Sequence, residues 1–204
     1  ANHLTLNDLK TIQDRTESFD AIILACGAVS WSQLGSDGKW QAWLQQSEVE
    51  PFQASNAGVE YPWSKFMQPM FGQPLKRVEA WVEGMDKTMG DIVISHYGLE
   101  SGLIYKQGRG LREQVKRDHP MRLNLDLFPD QTVEQLAKKL QPSKKQSLSN
   151  VWRKAGLDGA KAALVRELIA KDLWQNAEAL AKQLKQLPLV LTGFRPVEEA
   201  ISCA

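Results

Sequence analysis

The chain of 204 residues is 43% hydrophobic and 24% charged, with a formal net charge of +1. This is ordinary globular composition, which excludes a disordered chain and allows one large domain or two small ones. The longest apolar run, Ala21 to Val29, is too short to cross a bilayer, and residues 1–20 show no basic start followed by a greasy stretch.

The chain opens on a weakly patterned stretch to Ser18. Phe19 to Ala25 is a continuous apolar run bounded by Asp20 and Gly27, which predicts a strand buried on both faces. A turn rich in Gly and Ser follows, from Gly27 to Gly38. A helix is then expected from near Asp37, with Trp40, Trp43 and Leu44 on one face. Strand, glycine turn and helix in that order are what lies beside a phosphate or ribose in nucleotide-binding folds.

Between Ser47 and Leu127 the pattern becomes β-rich. Lys76–Glu83 and Gly90–Ser95 read as antiparallel strands, with Gly84, Asp86 and Gly90 as turn signals. Met121–Leu127 alternates apolar and polar residues, as a half-exposed strand does. Pro62–Phe71 and Leu99–Val115 have helical spacing, the second interrupted by Gly108 and Gly110.

From Asp130 helices dominate. One opens at Asp130 or Gln131 and stops at Pro142; another follows Ser147 and ends at Gly156, a C-cap candidate. Ala160–Ala170 and Leu173–Leu184 complete four short helices. Pro188 closes the block, and Leu189–Thr192 returns to strand. The expected fold class is α+β: an antiparallel β-barrel-like domain with a small helical bundle, and a nucleotide-binding-like segment at the ends. The expected boundaries are 1–46 for the opening segment, 47–129 completed by 188–194 for the β-rich unit, 130–187 for the helical excursion, and 195–204 for the return.

Charge is unevenly spread. Residues 1–100 hold 7 Lys and Arg against 13 Asp and Glu; residues 101–204 hold 18 against 11. That asymmetry marks either two subdomains of opposite sign or a basic helical block that engages an anionic partner such as RNA. The sequence has no Walker loop, no GxSxG elbow and no HExxH, and its three histidines stand apart from both cysteines, so no metal site is expected. Cys26 and Cys203 have no partnering spacing and read as reduced thiols of a cytoplasmic protein. A hydrolase remains open if the fold gathers His96 with a carboxylate and a serine. Trp40, Trp43, Trp152 and Trp174 lie on helical apolar faces and are expected in cores.

Six segments in order resemble one family: FDAIILACGAVSWSQLGSDGKW, FGQPLKRVEAWV, ISHYGLESGLIY, LNLDLFPD, SLSNVWRKAG and LPLVLTGFRPVEEAISCA. They are similar to bacterial flavoproteins known as NAD(FAD)-utilizing dehydrogenases, a group that includes BaiN-like reductases and aminoacetone oxidase. The resemblance implies an FAD-dependent oxidoreductase, a dehydrogenase or an oxidase with NAD(P)H as a further cofactor; it makes residues 1–46 and 195–204 a remnant of a Rossmann-like FAD domain, and the β-barrel-like and helical units two inserts that cap the flavin and shape the substrate site. It places Ala25, Cys26, Gly27 and Ala28 along FAD and Ser30, Gly35, Asp37 and Gly38 in the following turn. His96, Tyr97 and Arg195 match stretches that face the substrate cavity, with a packed turn as the alternative for His96 and Tyr97. Ala28 replaces the usual second glycine, and Ser32 stands where proline is common. No GxGxxG occurs, so the chain looks like an internal piece with an incomplete flavin site. Its partner would be the remainder of the flavoprotein, with no membrane role, and its substrate and catalytic residues are not indicated by the sequence.

Overall fold

The computed structural model describes residues 23, 25–43, 50–142 and 145–203. The chain divides into two compact units, Ala1–Ser55 with Pro196–Ala204, and Asn56–Arg195.

All seven described strands lie in the second unit: β1 (Val59–Glu60), β2 (Pro74–Trp81), β3 (Thr88–Ser95), β4 (Gly98–Glu100), β5 (Met121–Asp126), β6 (Leu187–Leu191) and β7 (Gly193–Phe194). They form one antiparallel sheet in the order β6-β5-β2-β3-β4-β1-β7. The edge strands β6 and β7 are separated in sequence only by Thr192. Two Cα–Cα steps span at most about 7 Å, so the two edges meet there. A sheet whose edges meet is curled into a barrel, and this bears out the barrel-like expectation.

Strand patterning follows from burial. In β6, Leu187, Leu189 and Leu191 point inward while Pro188 and Val190 point out. Pro188 is therefore a strand residue opposite Asn124, not the stop of the helical block. Lacking an N–H, it is tolerated because β6 is the last strand in the order. In β2 the register with β3 slips by one residue between Leu75 and Val78. Arg77 takes φ 50° there, and its N–H donates to Asp91 Oδ1 at 2.9 Å. The extra residue lets Leu75 and Val78, three apart, both face the core.

The α-helices among the described residues are α1 (Gly102–Lys116), α2 (Val133–Lys139), α3 (Leu148–Lys154), α4 (Gly159–Leu168) and α5 (Ala177–Lys185). Contrary to the sequence expectation, α1 starts after Leu99, which belongs to β4, and runs unbroken through Gly108 and Gly110. Both glycines are buried, and a Cβ on Gly110 would press on Val82 and Met85 at 3.0 Å. The missing side chain at Gly110 lets the helix approach the β2–β3 turn, an advantage that outweighs its ~1 kcal/mol helix penalty. Gln107 exploits the approach. Its Oε1 accepts from Val82 N–H at 3.1 Å, and its Nε2 donates to the Asp86 carbonyl and to Thr88 Oγ1.

Caps explain the remaining limits. Thr132 caps α2 in a capping box with Gln135, one or two residues later than the expected start at Asp130 or Gln131. Ser147 caps α3, and Gly156 closes it at φ 82° with Leu157 N–H donating to Trp152 O and Gly156 N–H to Arg153 O, a Schellman motif. The last expected helix is split: Lys171–Gln175 is a 3₁₀ turn, and Asn176 caps α5. Pro62–Phe71 contains only a 3₁₀ turn, Lys65–Met70, with Pro69 inside it.

The helices are fastened to the barrel by polar clasps as well as by the common core. Lys161 donates to Leu127 O at 2.6 Å, Glu167 accepts from Ser64 N–H and Oγ, and Arg77 grips Asp130 with two nitrogens. Trp152 is fully buried against Trp174, whose rings meet edge-on at 5.5 Å. No described helix is long and apolar enough to cross a membrane.

The expected strand Phe19–Ala25 lies outside the described residues except for Ile23 and Ala25, neither of which is in a strand. The helix expected from Asp37 is a 3₁₀ turn, Lys39–Trp43, beginning after Gly38 at φ 65°; Leu44 lies outside the described residues.

Candidate functional site

The first candidate is the small-residue turn of the first unit. Ala25 and Gly27 are exposed, and Cys26, Ala28 and Ser30 half-buried. The turn is organised by its own side chains. Ser36 Oγ accepts from Ala28 N–H and donates to Ala28 O, both at 2.9 Å, so one hydroxyl closes an eight-residue loop. Trp40 Nε1 donates to Gly27 O at 2.8 Å. Gly38 is buried at positive φ because a Cβ there would collide with Val29. Gly35 is exposed at φ 95° with open space around it, and Asp37 holds Lys39 at 2.8 Å on the surface.

The chain's last described residues join this turn. Ala54 bridges Cys203, Ser55 N–H donates to Ser202 O, and Ser30 N–H donates to Cys203 Sγ at 3.4 Å. Burial pushes the Cys203 thiol up, but hydrogen bonds with the Ser30 hydroxyl and with the Val29 and Ser30 amides outweigh it and leave the thiol below its ordinary value. No local pattern marks this contact, since Ser30 and Cys203 are 173 residues apart.

These residues fit a flavin in part. Exposed Ala25 and Gly27 allow a flat ring system to approach backbone to van der Waals distance. A phosphate is less well served. The N–H groups of Ala28 and Ser30 are already engaged, and no GxGxxG is present to open a phosphate-binding helix.

The second candidate lies on the barrel. His96 and Tyr97 are the two-residue turn between β3 and β4, closed by the pairing of Ser95 with Gly98. Gly98 takes φ 155°, and a Cβ there would run into the β1 backbone at Val59 and Tyr61. Pairing also sets Glu60 between Gly98 on one side and Gly193 on the other. Bare glycines leave room for two larger groups to fold over the strands. The Tyr97 ring covers Gly58, where a Cβ would meet it. Arg195 stacks on that ring at 4.7 Å and ion-pairs with Glu60 at 2.8 Å. The Tyr97 hydroxyl donates to Glu100.

So the fold brings together all three residues singled out on the barrel: Arg195 lies over Tyr97, and His96 meets Tyr97 edge-on at 5.1 Å. Glu60 and Glu100, which hold the other two in place, carried no motif that marked them. Burial raises the Tyr97 phenol well above its ordinary value, the Glu100 carboxylate beside it adds to this, and Ser95 pulls weakly the other way. Ser95 Oγ is buried and makes no hydrogen bond of good geometry, while His96 is exposed. Facing opposite ways, Ser95 and His96 do not form a nucleophile–base pair.

Three of the basic helical side chains are engaged within the unit. Lys161 and Lys185 turn inward to backbone carbonyls, and Arg166 lies over the Trp152 ring at 5.2 Å. Among the described residues no cluster of His, Cys, Asp and Glu could hold a metal ion.

The model of the family described as HI0933-like protein barrel and H2TH domain matches residues 53–202. No curated protein matches the chain.

Proposed function

We propose, on the premise that this chain belongs to the HI0933-like barrel and H2TH domain family of flavoprotein insert domains, that it walls and caps the flavin site of an FAD-dependent oxidoreductase. The family match over most of the chain carries the reading. The exposed small residues Ala25 and Gly27 support it from an independent direction, with Cys26 and Ala28 beside them.

In this reading Ala25, Cys26, Gly27 and Ala28 lie along the flavin, and the turn bearing Ser30, Gly35, Asp37 and Gly38 sets their course. FAD supplies the hydride or electron chemistry when bound. NAD(P)H is the proposed further cofactor, and the parent enzyme is a dehydrogenase or an oxidase. The protein groups position and exclude. His96, Tyr97 and Arg195 face the substrate. Tyr97, held neutral by burial and by Glu100, offers an aromatic wall rather than a base. Arg195 keeps a fixed charge beside it. The pyrophosphate-binding part and the rest of the flavin pocket come from the remainder of the flavoprotein.

The test is a titration of this chain with FAD, followed by flavin fluorescence and calorimetry. Binding in the millimolar range, about −4 kcal/mol, is expected from a single wall. Gly27→Val should abolish it. A stoichiometric, tightly held flavin would show that the chain carries a whole site and overturn the reading.

A further inference from the structure

The barrel is not equally knitted all round. The β2–β3 and β5–β6 ladders each have five registered pairs, whereas β1 pairs with β4 and with β7 over two residues each. The short pairings are the ones that close the sheet, because β7 is an edge strand joined to the opposite edge through Thr192. Few backbone bonds hold this closure: Tyr61 N–H to Tyr97 O, Thr192 N–H to Glu60 O and Arg195 N–H to Gly58 O, each at 2.9 Å, beside the two-residue ladders.

Side chains concentrate at the same place. Arg195, just past β7, reaches Glu60 on β1 and stacks on Tyr97 from the β3–β4 turn; Tyr97 in turn binds Glu100 on β4. Trp63 Nε1 donates to Gly98 O at 3.2 Å. Thus one connected network bridges β4, β1 and β7. It also sits where the chain enters and leaves this unit, since Asn56 and Arg195 are the unit's limits. The Arg195–Glu60 pair is partly open to solvent, with side chains 23% and 35% exposed, so salt can weaken it.

We infer that the β4–β1–β7 seam is the opening point of the barrel and that the Arg195–Glu60 pair, stacked on Tyr97, is its latch. A long ladder opens only with the whole unit; a two-residue ladder held by one ion pair opens locally. The latch lies within the barrel unit and does not depend on flavin.

Amide hydrogen exchange on the full chain tests it, read by NMR at Tyr61, Thr192 and Arg195 for the seam and at two reference amides away from it, Ile94, which donates to Gln73 O beside the β2–β3 ladder, and Leu127, which donates to Leu184 O of α5. Glu60→Gln and Arg195→Gln are each expected to speed the seam amides about fivefold while leaving Ile94 and Leu127 unchanged. The double variant should be no faster than either single one. Wild-type protein taken from low salt to 1 M NaCl should show the same selective acceleration, which keeps the test open if a variant folds poorly. Unchanged seam amides would overturn the latch. Acceleration of all five amides together would also overturn it, because the pair would then support global stability only.

Discussion

The ammonium of Lys185 lies 2.6 Å from Asp126 Oδ2 and also donates to the Phe128 carbonyl at 2.8 Å. Lys185 ends α5 and Asp126 ends β5, so one buried pair joins the last helix to the barrel. Asp126 is satisfied on its other oxygen by Phe128 N–H at 2.8 Å.

Breaking this pair from one side leaves the other charge buried. Lys185→Met is expected to cost about 3 kcal/mol in urea unfolding, as is Asp126→Asn. The double variant should cost clearly less than the two losses added together. Additive losses would mean that the two groups act separately.

All three tyrosines, Tyr61, Tyr97 and Tyr105, have phenols raised above their ordinary value, chiefly by burial. An acid raised on folding binds more protons in the native state than in the unfolded one once pH passes its unfolded value. Stability is therefore intact below about pH 10 and falls as pH climbs from there through the folded-state values. Ultraviolet titration should show little phenolate in the native chain at pH 10 and about half ionisation in denaturant. Tyr97→Phe should flatten the alkaline loss of stability.

Gly98 and Gly84 both have positive φ, yet only Gly98 faces backbone where a Cβ would stand; Gly84 faces open space. Gly98→Ala should destabilise by about 2–3 kcal/mol, combining strain with a clash that no side-chain motion relieves. Gly84→Ala should cost about 1 kcal/mol, from conformation alone. Equal losses in thermal or urea unfolding would contradict the strand approach at Gly98.

The Cys203 thiol, lowered by Ser30 and its neighbouring amides, should alkylate with a pH midpoint below the free-thiol value of about 8.5. Ser30→Ala should move that midpoint up without touching the barrel unit. Iodoacetamide labelling resolved by peptide mass spectrometry measures it, and an unmoved midpoint would remove Ser30 from the explanation.

Much of the fold was legible locally. Alternation in Met121–Asp126 and the apolar runs of β2 and β3 predicted strands, and Ser147 and Gly156 marked the two ends of α3. Misreadings arose where a tertiary contact overrides a local cue. Gly108 and Gly110 look like helix breakers, yet the helix runs through both, and at Gly110 the β2–β3 turn presses close enough to exclude a side chain. Pro188 looks like a stop until it is seen in an edge strand, where its missing N–H costs no ladder bond. On the barrel, motif reading found His96, Tyr97 and Arg195 but not Glu60 or Glu100, because a lone glutamate in a strand carries no pattern.

The sequence by itself determined the longer strands, the main helices, several of their limits and the broad family, since periodicity, caps and ordered motifs are properties of neighbouring residues. Only the tertiary structure decided that Thr192 brings two sheet edges together, that Arg195 stacks on Tyr97 and pairs with Glu60, and that Cys203 returns to Ser30. Those contacts join residues from 98 to 173 positions apart. Their partners are chosen by sheet register and by the space that glycines leave, and neither is written in any local stretch of chain.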